Sequence, residues 1–135
     1  MANSGCSSSS GLAARKIENR MTVSGTAKIK MLTADEITEK MTLAVIEDLP
    51  YRAGDEVAVL INGLGGTPQL ELYICYRKVK QMLDQRGIKV GNSFVGEFFT
   101  GLEMAGFSVT LMKLDAELKE LLAAPADTPC FKVIE

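Results

Sequence analysis

Apolar positions along this chain switch between two periods, and the switches mark the elements. Thr33-Ala34-Asp35-Glu36 is a capping box: the Thr33 hydroxyl suits the Glu36 amide, and the Glu36 carboxylate suits the Thr33 amide. The two acids also fit the positive end of a helix dipole. Ile37, Met41, Ala44 and Val45 follow at helical spacing, and Leu49-Pro50 ends the helix. Arg52-Ala53-Gly54-Asp55 reads as a turn. Val57-Ala58-Val59-Leu60-Ile61 is a continuous β-branched run, the signature of a strand covered on both faces. After a Gly-rich loop, Thr67 is placed as an N-cap and Pro68 as the first helical residue. Leu70, Tyr73, Ile74, Tyr76, Arg77, Val79, Met82 and Leu83 give that helix a wide apolar face to about Arg86, and Gly87 suits its C-terminal stop. Ile88 to Val95 reads as a strand. Phe98 to Met104 has no clean period and is ambiguous, a short turn of helix being one reading. Phe107 to Leu114 alternates with period two, as a strand does. Asp115 caps a last helix through Leu118, Leu121 and Leu122 that Pro125 stops.

Towards the N-terminus the pattern thins. Residues 15–32 alternate weakly at Ile17, Met21, Val23, Ile29 and Met31, which suits two short strands joined near Ser24-Gly25-Thr26. The resulting order implies an α/β fold, α+β-like in having two layers: a mixed β-sheet with helices packed on it. The strand, helix and strand between Val57 and Val95 form one right-handed crossover. Three segments result: a flexible Ser/Gly-rich tail at 1–14, a domain at 15–124, and a C-terminal tail at 125–135. Met1 to Leu12 has no apolar core of a secretory signal. It lacks acids and precedes Arg15 and Lys16, as transit peptides do, but a disordered tail is the plainer reading.

Composition narrows the chemistry. The chain has 135 residues, 47% of them hydrophobic and 24% charged, which fits one globular domain. Fifteen basic and 17 acidic residues leave a net charge of −2, so no basic face speaks for nucleic acid. No apolar run reaches the roughly 20 residues of a membrane span. The three cysteines, Cys6, Cys75 and Cys130, are odd in number and not at metal-ligand spacing, which favours a reducing compartment over a disulfide framework. Cys75 falls within an apolar helical pattern and reads as a small core residue. There is no histidine. That removes Ser-His-Asp and Cys-His catalysis and most zinc sites. Neither a metal nor a cofactor is expected in this chain.

The strongest candidate site is Asn62-Gly63-Leu64-Gly65-Gly66-Thr67, followed by Pro68. Its glycines permit close backbone approach and positive φ. It sits after the carboxyl end of a strand and before a helix N-terminus, where α/β sheets bind ligands and where free amides favour anions. Yet it lacks the Gly-Lys-Ser/Thr of a phosphate loop, and Pro68 stands where the third glycine of Gly-x-Gly-x-x-Gly belongs. Two readings stay open: a tight turn, or an anion or substrate cradle. Tyr73 and Tyr76 read as core residues with hydroxyls at the rim. Asn92, Ser93, Glu97 and Glu103 read as solvated, Asp115 as a cap, and Met41 and Met82 as core rather than a binding groove.

These residues also carry a resemblance. Asn62 to Pro68, Glu71-Leu72-Tyr73, Tyr76-Arg77, Arg86-Gly87-Ile88-Lys89-Val90, Leu102 to Ser108, Lys113-Leu114-Asp115 and Ala124 to Pro129 are similar to the dihydroxyacetone (glycerone) kinase family, specifically its substrate-binding K subunit. The likeness runs from about Lys28 to Phe131. It implies phosphorylation of dihydroxyacetone, with phosphate from ATP or a phosphotransferase-system protein through a separate nucleotide-binding L part. It implies a cytoplasmic dimer acting in glycerol metabolism. It also implies that this chain corresponds to the C-terminal domain of the K part, with an N-terminal K domain as the missing neighbour. The family holds its substrate on a histidine in a His-Gly-Glu-Pro-Gly segment, where this chain reads Val23-Ser24-Gly25-Thr26-Ala27. Gly101 stands where the family has serine. Lys28 and Lys30 are expected to be exposed, with nothing to make either a nucleophile. No residue matches a catalytic role, so the expectation is an incomplete kinase, its Asn62–Thr67 loop lying near the substrate pocket. The alternative is a non-catalytic regulatory or binding paralogue that associates with a kinase partner.

Overall fold

A computed structural model describes residues 13–15 and 32–134. The tail at 1–12, the strands placed at 16–31, Cys6, Val23–Ala27, Lys28 and Lys30 lie outside the described residues. A short strand, β1 (Ala13–Arg15), precedes helix α1 (Ala34–Asp48). Then come β2 (Glu56–Gly63), α2 (Gln69–Gln85), β3 (Lys89–Gly96), β4 (Phe107–Lys113), α3 (Ala116–Ala123), β5 (Ala126–Asp127) and β6 (Lys132–Val133).

The first four strands make one mixed sheet in the order β1-β4-β2-β3. β2 is central, parallel to β3 and antiparallel to β4. This is the α/β architecture with helices on a mixed sheet that the pattern implies. β2 and β3 are joined through α2, the connection that parallel neighbours require.

Alternation places Val57, Val59 and Ile61 of β2 and Val109 and Leu111 of β4 on one face, all essentially inaccessible. Met41 and Val45 of α1 and Leu72, Val79 and Leu83 of α2 close over them. The opposite face carries Ala58, Leu60, Thr110 and Met112. Together with Leu122 of α3 and the β5–β6 hairpin they line an apolar groove of about 440 Å³. Residues 125–135 are read from sequence as a tail, and residues 126–133 of that stretch form the hairpin. Its Phe131 packs on Phe94 and Phe98, with ring centroids 5.1 and 6.1 Å away.

Local signals set most of the ends. At α1, Thr33 N donates to Glu36 at 2.7 Å, and Thr33 Oγ1 accepts from Glu36 N at 3.3 Å. The Thr33 amide holds the Glu36 carboxyl below its ordinary pKa. α2 stops in a Schellman motif: Gly87 has φ +70°, its amide donates to Asp84 O, and the Ile88 amide donates to Leu83 O. Asp115 caps α3 by accepting from Leu118 N at 2.8 Å. The exception is Thr67. The N-cap of α2 is Pro68, with no side-chain cap, because the Thr67 hydroxyl is engaged elsewhere.

Candidate functional site

β2 and β3 run side by side and end together, and beyond their carboxyl ends two loops meet. One is the Gly-rich loop Asn62–Thr67. The other is the stretch 97–106, which is extended and irregular rather than helical. A turn of helix does not form at 98–104, because the stretch takes its hydrogen bonds from the facing loop. Gly101 N donates to Leu64 O, Gly66 N to Met104 O and Leu64 N to Gly106 O, at 2.9 to 3.1 Å. Two side chains finish the join. Asn62 is buried and accepts from Phe98 N and Phe99 N at 2.8 Å each, while its Nδ2 donates to Phe99 O at 2.8 Å. Thr67 Oγ1 accepts from Gly106 N and donates to Gly106 O, both at 2.9 Å.

The glycines make this approach sterically feasible. Gly65 has φ +108°, and a Cβ there would lie 2.5 Å from Gly101 O. A Cβ on Gly66 would lie 2.9 Å from Met104 C and Ala105 N. Glu97 is exposed, and its carboxylate overhangs Gly63.

Two consequences follow for chemistry. The amides of Leu64 and Gly66 donate to carbonyls of the facing loop, so neither is available to an anion. What remains is a hydrogen-bonded wall of backbone and small residues, fringed by Phe99 at 86% exposure, Leu102 at 99% and Met104 at 41%. The sequence-predicted loop is therefore brought together with Glu97 and Glu103. Tyr73, Asn92 and Ser93 are not part of the join. Asn92 lies in the body of β3, and Tyr73 is half-exposed on the outer face of α2 rather than packed in the core. Leu70 and Ile74 are likewise exposed, and the inner face of α2 is Leu72, Cys75, Val79, Met82 and Leu83. Cys75 is buried, and burial pushes its thiol pKa up. Met41 and Met82 are core residues.

The partners of Asn62 and Thr67 could not be found from sequence spacing, since they lie 36 to 39 residues away. The available signal was a polar residue ending an apolar strand, Asn62 after Ile61. Among the described residues no three acidic, cysteine or histidine side chains are grouped to hold a metal. None of the described helices is long and apolar enough to cross a membrane.

Residues 22–130 match the family model described as the Dak1 domain. The chain belongs to the Dak1 family. It is 44% identical over 109 residues to the dihydroxyacetone-binding subunit DhaK of PTS-dependent dihydroxyacetone kinase 2 from Listeria innocua serovar 6a, covering 81% of this chain and 33% of that one. It is 38% identical over 112 residues to an L-erythrulose kinase from Pectobacterium atrosepticum, covering 80% of this chain and 19% of that one. Among solved structures, the dihydroxyacetone kinase operon co-activator Dha-DhaQ superposes with a TM-score of 0.67 at 27% identity, covering 75% of this chain and 32% of that one. This Dak1 chain thus spans a third or less of the length of these relatives. The resemblance to the dihydroxyacetone kinase K subunit read from the Asn62–Pro68 motif holds.

Proposed function

We propose that this Dak1 chain is part of a dihydroxyacetone kinase, the C-terminal domain of the dihydroxyacetone-binding subunit, and that its Asn62–Thr67 loop forms one wall of the ketose pocket. The observation that carries this is the clasp between that loop and residues 97–106 at the carboxyl ends of β2 and β3. It spends the Leu64 and Gly66 amides internally, which suits a wall and not a phosphate cradle. A second domain completes the pocket, and the exposed Phe99, Leu102 and Met104 mark the rim it meets. The substrate-holding histidine comes from outside this chain, which has none. In this reading the protein works in the cytoplasm, in glycerol metabolism, as a homo-oligomer beside a nucleotide-binding L-type partner. The non-catalytic alternative is weaker: identity is 44% to the kinase subunit and 27% to the co-activator.

A chimera tests it. Residues 32–134 replace the matching stretch of the Listeria innocua subunit, which keeps its own upstream sequence. The folded chimera is expected to support phosphorylation of dihydroxyacetone by its partners, and the present chain alone is expected to give no turnover and no covalent adduct by intact mass. An inactive but folded chimera, or turnover by the chain alone, rejects the reading.

A further inference from the structure

Phe98 faces two ways. Its amide donates to Asn62 Oδ1 at 2.8 Å, on the side of the Gly-rich loop. Its ring lines the apolar groove on the outer face of the sheet, with its centroid 6.1 Å from that of Phe131. Phe94, in β3, meets the same Phe131 ring at 5.1 Å. One residue of the C-terminal hairpin therefore touches both the end of β3 and the start of the 97–106 loop.

The hairpin holds that ring in a closed turn. The Thr128 amide donates to Phe131 O at 3.0 Å. The Thr128 hydroxyl donates to the same oxygen at 2.9 Å and accepts from Phe131 N at 2.9 Å. Lys132 and Asp127 pair across the two strands at 2.9 Å. β5 and β6 are two residues each and pair with each other, apart from the main sheet. A two-stranded hairpin has little stability of its own and needs an anchor. Between this hairpin and the sheet lies the groove of about 440 Å³. The anchor is therefore concentrated in the contacts of the Phe131 ring with Phe94 and Phe98.

We propose that Phe131 is a positioning residue for the ketose-pocket wall, acting through Phe98 on Asn62. The proposal rests on the pocket-wall reading above and adds the hairpin to it. The Asn62 carboxamide bonds the backbone at 98 and 99, but it does not touch the ring that this backbone carries. Phe131 covers that half-buried ring. Without it the Phe98 ring is free to leave its rotamer, and each excursion pulls the Phe98 amide from Asn62 Oδ1. The wall then opens more often, although no residue of the Asn62–Thr67 loop has changed.

Two measurements test this: amide hydrogen exchange on the 135-residue chain, and kinetics of the chimera described above. Phe131→Ala should raise exchange at Phe98 and Phe99 about tenfold, with Val59 and Leu111 in the core unchanged. In the chimera it should raise KM for dihydroxyacetone about fivefold and leave kcat in place. Phe131→Tyr keeps the ring and should restore both. Ile134→Ala, on the same tail and 86% exposed, should alter neither. Unchanged exchange at Phe98 and Phe99 overturns the proposal whatever the kinetics. An equal rise at Val59 and Leu111 overturns it too, since it marks a general loss of stability. A local rise with unchanged KM in an active chimera shows that Phe131 holds the loop without positioning substrate, and overturns the proposal while sparing the pocket's other parts. An inactive wild-type chimera rejects the pocket-wall reading itself, and the proposal with it. If Phe131→Ala does not fold, Phe131→Leu, apolar but without a ring, decides by the same two readings.

Discussion

The Asn62 side chain binds the backbone of Phe99 in both directions, accepting from its amide and donating to its carbonyl, each at 2.8 Å. A third bond, from Phe98 N, uses the remaining capacity of the same oxygen. One carboxamide thus does for the 97–106 loop what a strand neighbour does for a strand. Asn62→Ala leaves two backbone amides and a carbonyl without partners in a partly buried place. The cost is expected to be about 2–4 kcal/mol, read from urea denaturation. Amide exchange at Phe98 and Phe99 should rise in step. Unchanged exchange at these two residues would show that the loop is held by something other than Asn62.

The glycines are not equivalent, and their substitutions separate two effects. Gly54 and Gly65 both have positive φ, at +93° and +108°. At Gly54 a Cβ meets nothing within 4 Å, whereas at Gly65 it meets the backbone oxygen of Gly101 at 2.5 Å. Gly54→Ala should cost only the conformational term, about 1 kcal/mol. Gly65→Ala should cost about 2 kcal/mol more, because the facing loop must move. Equal losses in thermal denaturation would mean that the close approach of the two loops is unimportant.

How much of this was legible in the sequence depends on how far the deciding contacts reach. The Thr33 box, the Gly87 stop and the Asp115 cap were readable because each closes within five residues. Thr67 has the same hydroxyl, but Gly106 offers it both a donor and an acceptor, and two bonds to a distant residue outcompete one to a nearby amide. The stretch 98–104 was ambiguous for want of any period, because its geometry is dictated by Asn62 and Leu64 from outside. The strands β5 and β6 are two residues each, too short to show alternation. For the site, the glycines announced a close approach, but only the fold shows that what approaches is the loop 97–106.

Two cysteines should behave oppositely. Cys75 is 3% exposed against α1, and its pKa is raised, first by burial and then by Glu71 and Asp35. The Thr38 hydroxyl lies beside it, in a contact that falls short of hydrogen-bond geometry. Cys130 is exposed on the hairpin. Since the thiolate is the reactive form, iodoacetamide in native buffer should label Cys130 and spare Cys75 until denaturant is added. Peptide mapping by mass spectrometry reads both sites. Native labelling of Cys75 at the rate of Cys130 would show that α2 opens readily from the core.

Stability should fall at both ends of the pH range, for different groups. Asp55 is held below its ordinary carboxyl pKa, first by the Lys113 ammonium and then by the Arg52 amide, and Glu36 by the Thr33 amide. For both, the unfolded chain takes up protons first as pH drops below about 4, so their contribution is present above that range and lost on acidification. At the alkaline end the sign reverses the direction of loss. Burial raises the pKa of Cys75 and of Tyr51, whose hydroxyl donates to Leu111 O at 3.0 Å. The unfolded chain then loses these protons first, so stability falls as pH rises above about 9. Melting temperature against pH should therefore show a plateau with two falling limbs. Tyr51→Phe should flatten the alkaline limb while lowering the plateau by the lost hydrogen bond, and Asp55→Asn should flatten the acid limb. An alkaline limb that Tyr51→Phe leaves unchanged would assign that limb to other groups.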